Sequence, residues 1–229
     1  MPELVPMQII ARIHTDFTEK FGIPRQSGLV ENPGVIVFEP SYRNPDALRG
    51  LEGYSHIWLL WQFSRAVREA WSPTVRPPRL GGNTRMGVFA TRSPFRPNAI
   101  GLSSVRLTGI ELSGPQGPVL SVSGADLLDG TPIFDIKPYL PYTDSHPEAT
   151  GGFAFQEKEG PLNVVFPPEW LECVPKERRE TLCAVLAQDP RPAYQNEPDR
   201  VYKMAFAGLD VHFTVSGKTL TVCGVQGLI

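Results

Sequence analysis

Short apolar runs alternate with turn-forming residues over the first 140 positions of the chain. The run from residue 100 to residue 112 alternates regularly and places Ser103 and Val105 on one face, with Leu102 on the other. Residues 54–63 form a continuous apolar run, which predicts a strand buried on both faces. Further strands are predicted over residues 7–14, 35–38, 86–92, 119–122 and 134–136. About seven short strands with little helix predict a closed or nearly closed β-barrel.

The pattern changes after Tyr142. Residues 143–159 are polar and rich in glycine, which predicts a linker. Residues 168–188 carry apolar side chains at helical spacing, and Pro190 then stops the predicted helix. Three more strands are predicted over residues 201–207, 211–215 and 220–225. We therefore predict a mainly β protein, with a β-barrel domain over residues 1–144 and a small α+β domain over residues 145–229.

Composition and charge limit the class of protein. The 229 residues are 41% hydrophobic and 20% charged, which is typical of a soluble globular protein. A net charge of -2 argues against a protein that coats nucleic acid through its overall field, so any such contact needs a local basic patch. Met1 begins no signal pattern, and the apolar run at residues 57–63 is too short to span a bilayer. We expect a cytoplasmic protein without a membrane anchor.

Cysteine and histidine spacing gives no indication of a metal or disulfide framework. Three widely spaced cysteines, an odd number, fit a reducing compartment: Cys173, Cys183 and Cys223. The four histidines show neither HxxxH nor HExxH spacing, so we expect no zinc site. The chain also lacks GxGxxG after a strand and GxxxxGK[ST], which leaves a nicotinamide or P-loop site without support.

Residues 74–101 contain five arginines and no acidic residue: Arg76, Arg79, Arg85, Arg92 and Arg96. Four prolines and four glycines lie between them and restrict the loop to defined conformations. Planar guanidinium groups on such a loop favour binding of a carboxylate or a phosphate. The alternative is a solvated basic loop beside an ordinary core.

Three polar clusters lie at the ends of predicted strands. They are residues 24–27, then Ser64-Arg65 with Arg92-Ser93, and then residues 126–131. Because loops on a rigid scaffold commonly carry binding groups, these clusters could line one pocket containing both signs of charge. A zwitterionic ligand would suit such a pocket. The last cluster is equally interpretable as a simple Asp-Gly turn.

Two further runs combine an acid, a base and an aromatic residue. Alternation places Asp135 and Lys137 on one face of a strand, with Tyr139 beyond Pro138, so this group could relay a proton or orient a base. The same pair could equally be a surface salt bridge of little energetic value. Asp189 begins the second run, in which an arginine and a tyrosine could grip phosphate and stack on an unpaired base. Its alternative is a helix stop with a packed tyrosine.

Four runs taken together carry a family resemblance. They are GIPRQSGL, RPPRLGGNTRMGVFATRSPFRPNAIGLS, DLLDGTPIFDIKPYLPY and AVLAQDPRPAY. The chain resembles the TsaA/YaeB-like (TrmO) family of S-adenosylmethionine-dependent tRNA methyltransferases over residues 7–142, and the last run extends the similarity into the second predicted domain. The resemblance implies a single-sheet β-barrel that binds S-adenosylmethionine, and a homodimer with the cofactor near the subunit interface. It also implies methylation of N6-threonylcarbamoyladenosine on N6, beside the anticodon of a threonine tRNA.

The resemblance also implies roles for individual residues. The cofactor-binding positions that match are Pro24, Arg25, Gln26, Ser64, Arg65, Arg92, Leu102, Asp126, Leu127, Leu128 and Asp129. The catalytic candidates that match are Lys137 and Tyr139. The strand pattern adds Asp135, and because N6 must lose a proton, Asp135 or Tyr139 is the hypothetical base. The candidates for contacting the anticodon stem-loop of tRNA are Asp189, Arg191 and Tyr194, in a second domain that would grip splayed bases.

Two other functions compete with the methyltransferase hypothesis. A non-catalytic RNA-binding module would use the basic loop and an aromatic tip, and would bind tRNA without regard to cofactor. A metal-dependent hydrolase would use His56 with Asp126 and Asp129, although no ligand spacing supports it. His56, inside an apolar run, is also interpretable as a satisfied core histidine.

Overall fold

The computed structural model describes residues 3–67, 70–155, 160–191 and 197–228. Within these ranges, short strands dominate and helices are few. The strands are β1 (Ala11–Thr15), β2 (Pro33–Phe38), β3 (His56–Gln62), β4 (Thr74–Val75), β5 (Met86–Gly87), β6 (Ile100–Glu111), β7 (Val119–Ser123), β8 (Thr131–Pro138), β9 (Asn163–Val165), β10 (Tyr202–Phe206), β11 (Leu209–Ser216) and β12 (Thr219–Gly227). The α-helices are α1 (Pro141–Asp144), α2 (Pro168–Leu171) and α3 (Lys176–Ala187).

A closed barrel fills the first part of the chain, in the strand order β1-β2-β7-β6-β3-β8. Each neighbouring pair is antiparallel, and β8 returns to pair with β1, where Ile13 lies opposite Thr131. Closure leaves the barrel without a free sheet edge, which removes a site for unwanted strand pairing. The predicted barrel is confirmed.

Alternation along the barrel strands is also confirmed, with one correction. In β6, Ser103 and Val105 are buried inside the barrel, whereas Leu102 points outward and is 55% exposed. The prediction that residues 54–63 are buried on both faces is wrong, because β3 alternates between buried and half-buried side chains. Leu59 lies inside the barrel and Leu60 outside it. The barrel has a single layer here, so its outer face lacks the helical cover that a doubly buried strand needs.

Two element predictions fail because of local backbone chemistry. The strand predicted over residues 86–92 is reduced to β5, and a 3-10 turn over Val88–Ala90 replaces the rest. The long helix predicted over residues 168–188 is divided into α2 and α3, since Pro175 lies between them and disfavours helical geometry in the residue before it. The short β9, which pairs in parallel with β12, was not predicted.

The remaining strands form a second sheet in the order β10-β11-β12-β9, and α3 packs against it. The predicted combination of a barrel with a small α+β unit is confirmed. A separate hydrophobic core lies under this sheet and includes Phe213 and Leu182. Phe17 and Val30, from the segment that connects β1 to β2, are also buried in this second core. The β1–β2 connection therefore belongs physically to both parts of the molecule.

Several contacts fix the second sheet to the barrel. Arg178 Nε lies 2.9 Å from Asp16 Oδ2, and the amide of Ala207 donates to the carbonyl of Asp16 at 2.9 Å. Thr181 Oγ1 donates to the carbonyl of Glu31 at 3.3 Å. Over the described ranges, no helix combines the length and the apolar composition that crossing a membrane requires.

Candidate active site

An open cleft of about 2510 Å³ is lined chiefly by the β1–β2 connection, the arginine-rich segment after β3 and the C-terminal end of α3 with the turn that follows it. Its lining includes six of the residues predicted to bind cofactor or tRNA: Pro24, Arg25, Gln26, Arg92, Asp189 and Arg191. These come from three distant segments of the chain, namely the β1–β2 connection, the arginine-rich loop and the turn after α3. The volume exceeds that of an ordinary small-molecule pocket, so the cleft has room for a cofactor and part of a larger substrate.

Residues 24–28, here named the 24–28 loop, are fixed to one end of the barrel. The amide of Gly28 donates to the carbonyl of Gly124 at 2.9 Å. Gly124 has a φ of 88°, and a Cβ at this position would lie 3.3 Å from the Gly28 nitrogen, so the close approach of the two loops requires glycine. Buried Asn32 adds a bond from its side-chain amide to the carbonyl of Ala125 at 2.9 Å. The 24–28 loop is therefore held against the loop that carries Asp126.

Asp126 is connected to the barrel interior by a chain of hydrogen bonds. Ser103 Oγ donates to Asp126 Oδ1 at 2.5 Å, and the indole Nε1 of Trp61 donates to Ser103 Oγ at 2.9 Å. The Trp61 ring packs so closely on Gly101 that a Cβ there would lie 2.3 Å from a ring carbon. Because Trp61 and Ser103 are both buried, this chain fixes the orientation of the carboxyl group.

Burial raises the pKa of Asp126 above its ordinary value. Hydrogen bonds from Ser103 and from the backbone amides of Asp126 and Ser27 oppose this rise in the pKa, as does the charge of Arg92. A half-buried carboxylate that costs energy to ionise is a common feature of functional sites.

Arg92 is exposed and reaches the 24–28 loop. Its Nη1 donates to Gln26 Oε1, and the side-chain amide of Gln26 donates in turn to the carbonyl of Arg25. Asp126 is close enough for the charge of Arg92 to act on it. A guanidinium and a carboxylate therefore lie together beside one loop, which is the mixed-charge arrangement that the sequence predicted.

Arg25 connects the 24–28 loop to the turn over residues 189–191, here named the 189–191 turn. Arg25 Nη2 donates to the carbonyl of Asp189 at 3.1 Å and to the carbonyl of Arg191 at 2.9 Å. These contacts join positions 164 and 166 residues apart in the sequence. The cleft is thus closed at this point by direct contact between the two parts of the molecule.

The 189–191 turn is shaped by an internal ion pair. Arg191 Nε and Nη2 donate to the two carboxylate oxygens of Asp189 at 2.8 and 2.9 Å, and this hydrogen bonding raises the pKa of Arg191. Asp189 has a φ of 53°, in the left-handed region that disfavours most residues. Arg191 is only 9% exposed. Tyr194, predicted to contact tRNA, lies outside the described residues.

The other predicted cofactor positions do not line the cleft. Ser64 and Arg65 form an exposed turn after β3, where the Arg65 carbonyl accepts a bond from Lys20 Nζ at 2.8 Å. Leu127 is wholly buried in the barrel core. The carbonyl of Leu128 accepts a bond from Thr131 Oγ1 at 2.7 Å. Asp129 Oδ1 accepts a bond from the backbone amide of Thr15 at 3.1 Å.

Asp135, Lys137 and Tyr139, here named the outer patch, lie on the outer side of the barrel. Lys137 Nζ forms an ion pair with Asp135 Oδ2 at 2.8 Å, and their side chains are 62% and 43% exposed. Tyr139 packs against Trp58, with the ring centroids 5.5 Å apart. Asp135 also lines a separate surface cavity of about 310 Å³. The outer patch is therefore not part of the cleft within one chain.

Sequence reasoning did not identify Ser103 or Trp61 as functional residues. A signal for Ser103 was available, because alternation placed this polar side chain on the inner face of β6, where a buried hydroxyl needs a partner. Nothing comparable marks Trp61, whose position in an apolar run predicts only packing.

The hydrolase hypothesis lacks its metal-binding group. Across the part of the chain that the structure describes, no three His, Cys, Asp or Glu side chains are grouped so that they could hold a metal ion. Each residue of the hypothesis has a separate partner: His56 contacts Ser55 Oγ, Asp126 contacts Ser103, and Asp129 contacts His14.

The closed barrel and the second sheet have the fold of one class of proteins, the tRNA-modifying methyltransferases built on a β-barrel. Residues 12–145 match the family model described as the tRNA-methyltransferase O N-terminal domain, and residues 159–228 match the TrmO C-terminal domain. The chain belongs to the tRNA-methyltransferase O family.

Individual relatives agree with this assignment. An Escherichia coli protein named tRNA (adenine(37)-N6)-methyltransferase is 42% identical over 226 residues, covering 95% of this chain and 96% of that protein. A Pseudomonas aeruginosa protein described as a putative S-adenosylmethionine-dependent methyltransferase is 44% identical, covering 89% of this chain and 90% of that protein. A crystal structure of TrmO from P. aeruginosa superimposes with a TM-score of 0.81 at 36% identity, over 99% of both chains.

Proposed function

We propose that this protein transfers a methyl group from S-adenosylmethionine to the adenine at position 37 of tRNA. The observation that carries the proposal is the cleft, which joins the 24–28 loop and Arg92 on one side to the 189–191 turn on the other. The names of the full-length relatives support both the reaction and the cofactor.

The residues beside the 24–28 loop fit S-adenosylmethionine chemically. Bound cofactor supplies a methyl group activated by a sulfonium, and it also carries a carboxylate and a ribose. Arg92 suits the carboxylate, because a guanidinium forms strong charge-assisted hydrogen bonds. Asp126 suits a hydroxyl donor or a cationic group, since its hydrogen-bonded carboxyl lies beside the loop. Pro24, Ser64, Arg65 and residues 127–129 remain part of this cofactor proposal, chiefly through their backbones.

The proposed substrate is N6-threonylcarbamoyladenosine beside the anticodon of a threonine tRNA. Residues 145–229 would act as a second domain that grips the anticodon stem-loop, with Asp189, Arg191 and Tyr194 on the tRNA side. Anticodon-loop bases are unstacked and can be bound individually, which suits a large open cleft. Arg191 is buried and paired with Asp189, so we assign it to shaping the turn that meets the tRNA.

The reaction forms a bond between N6 and the methyl carbon and breaks the bond from that carbon to sulfur. The N6 proton must leave during the transfer. We propose that Asp135 or Tyr139 receives this proton, directly or through water, and that the positive charge of Lys137 stabilises the ionised form of that group. Most of the rate acceleration should come from holding N6 in line with the methyl carbon.

A homodimer would bring the outer patch to a cleft. Leu60 of β3 lies between Leu102 and Asp135 on the outer face of the barrel, so an apolar row leads directly to the patch. Leu102 is 55% exposed, and a second copy packed on this face would cover it. In this arrangement, Leu102 and the outer patch of one copy complete the cofactor site of the other. A tRNA substrate and three unpaired cysteines also suit a cytoplasmic enzyme.

The direct test supplies methyl-labelled S-adenosylmethionine and purified protein to total tRNA from two cell types. One cell type makes the threonylcarbamoyl modification and the other lacks it. We expect label only on the modified tRNA.

Label on both tRNA pools would overturn the proposed substrate but keep the reaction. Absence of label from both pools, with tRNA binding insensitive to cofactor, would favour the non-catalytic RNA-binding module instead.

A further inference from the structure

The side chain of Arg25 forms a contact between the two parts of the molecule. Its Nη2 bonds to the carbonyls of Asp189 and Arg191 at 3.1 and 2.9 Å. Both carbonyls lie in the turn that follows α3, close to the C-terminal end of the helix, where the helix dipole places partial negative charge. A guanidinium is therefore well suited to this position, and its two bonds fix the path of the chain after the helix.

The turn that Arg25 holds is not a relaxed conformation. Asp189 keeps a φ of 53°, and a bidentate ion pair with Arg191 stabilises the turn from within. A strained turn persists only when surrounding contacts determine it. Here these contacts include the Arg191 ion pair inside the turn, the ring of Tyr202 under the Arg191 guanidinium, and the two bonds from Arg25. The 189–191 turn is thus held in part by the 24–28 loop, through the two bonds of Arg25.

The 24–28 loop in turn depends on the proposed cofactor site. Gln26 receives a bond from Arg92 and donates to the carbonyl of Arg25, so a group that binds Arg92 acts on the residue next to Arg25. Gly28 ties the same loop to the loop of Asp126. A continuous set of contacts runs from Arg92 through Gln26 and Arg25 to the 189–191 turn.

We propose that Arg25 is a positioning residue that couples the two binding events, so that occupation of the cofactor site sets the 189–191 turn for tRNA. This inference rests on the proposed function and adds a linkage that the function alone does not require. Coupling between two binding sites is reciprocal, so the same factor must appear whichever ligand is titrated first.

The test uses equilibrium binding, without turnover. The affinity for S-adenosylhomocysteine is measured with and without threonylcarbamoyl-modified tRNA, and the affinity for that tRNA is measured with and without S-adenosylhomocysteine. In the wild-type protein, we expect each ligand to increase the affinity for the other by about fivefold or more. Arg25→Ala should reduce the coupling factor towards one, and its affinity for S-adenosylhomocysteine alone should fall by much less than that of Arg92→Ala. Arg25→Lys, which keeps a donor, should recover part of the coupling.

Hydrogen exchange in the free protein tests the contact itself. The amide of Asp189 bonds to the carbonyl of Leu186 at 3.1 Å, and Arg25→Ala should speed its exchange by about tenfold because the turn loses two bonds. Arg49→Ala is the matched control, since Arg49 is an exposed arginine paired with Asp46 in its own turn. That variant should leave both the exchange and the coupling unchanged.

Three results would overturn the inference: wild-type protein without coupling, Arg25→Ala with full coupling, or Arg25→Ala that weakens S-adenosylhomocysteine binding as much as loss of Arg92. The last would make Arg25 a direct cofactor contact. Failure of the proposed function looks different, because a protein that binds and couples both ligands but transfers no methyl group keeps the linkage and loses the reaction.

Discussion

The cleft and the outer patch have similar compositions but differ in their connections. Each combines acidic and basic side chains, together with an amide side chain in the cleft and an aromatic side chain in the outer patch. Beside the 24–28 loop that lines the cleft, Asp126 is half-buried and bonded to Ser103, and Arg25 in the cleft bonds to backbone more than 160 residues away. In the outer patch, Lys137 bonds to its near neighbour Asp135 in the same strand, in an exposed ion pair of small energetic value.

Because of this difference, the cleft needs only one chain to form, whereas the outer patch needs a second chain to take part in the reaction. The cleft is assembled by the fold of a single chain and can be tested with a single variant. The outer patch can take part in the same reaction only if a second copy presents it to a cleft, because none of its residues lines the cleft within one chain.

The largest effect is expected from Arg92→Ala. Removing a charge-assisted contact to the cofactor carboxylate should weaken S-adenosylmethionine binding by roughly 150-fold. Calorimetric titration of the cofactor, without tRNA, measures this change. Arg85→Ala is the matched control in the same loop, since Arg85 bonds to Thr74 Oγ1 at 3.3 Å. Equal losses of affinity in the two variants would reduce Arg92 to one part of a general basic field.

Asp135→Asn should slow methyl transfer by about 100-fold if Asp135 is the base, with little change in cofactor affinity. Mixing this variant with Arg92→Ala, under conditions that exchange subunits, should then restore about a quarter of wild-type activity, because half of the dimers are mixed and each has one intact site.

Two results would contradict the proposal that the outer patch of one copy serves the cleft of another. An unchanged rate for Asp135→Asn would remove it as the base. A slow variant without recovery on mixing would mean that the outer patch does not serve the cleft of another copy.

The barrel was predictable because its signal is local and periodic. Alternation in β6 separated Ser103 from Leu102 correctly, and loops at strand ends gave the 24–28 loop and Arg92. The break between α2 and α3 also has a local signal, because Pro175 disfavours helical geometry in the residue before it.

The coupling between distant segments was not predictable. Nothing in the composition of the β1–β2 connection indicates that Phe17 and Val30 complete the core of the second sheet. The bonds from Arg25 to the 189–191 turn depend on how the two parts dock, and a single sequence carries no periodic signal for docking. The prediction for the outer patch fails to place it for the opposite reason: a local pattern of acid, base and aromatic residue does not reveal whether these side chains lie beside the cleft.

Ser103→Ala tests, with a smaller expected effect, whether the buried hydrogen-bond chain orients Asp126. The change removes a bond to Asp126 and leaves the buried Trp61 N–H without its acceptor, which should cost about 1–3 kcal/mol of stability. Each 1 kcal/mol corresponds to a fall in melting temperature of about 2–4 °C for a chain of this size. Cofactor affinity should fall several-fold as the carboxyl loses its orientation.

Ser121→Ala is the control for this variant, because Ser121 alternates with the buried Leu120 and Val122 of β7 and so lies on the outer side. It should change neither the melting temperature nor cofactor affinity. A stable Ser103→Ala protein with normal affinity would show that the buried chain does not orient Asp126.

The smallest effect is a gain in stability from Asp126→Asn. Burial raises the pKa of Asp126 in the folded protein, so ionisation at neutral pH opposes folding, and this penalty disappears once the pH falls below the unfolded value near 3.8. Asparagine keeps an acceptor for Ser103 but removes the charge, so the variant should melt a few degrees higher at pH 7, and its advantage should shrink as the pH is lowered. Its cofactor affinity should nevertheless fall.

Asp129→Asn provides the contrast, because Asp129 accepts bonds from Thr15 and His14 at the surface and should gain no stability. A variant at position 126 that is less stable than the wild type at pH 7 would mean that the carboxylate holds the loop together, and that its burial is structural rather than a cost retained for cofactor binding.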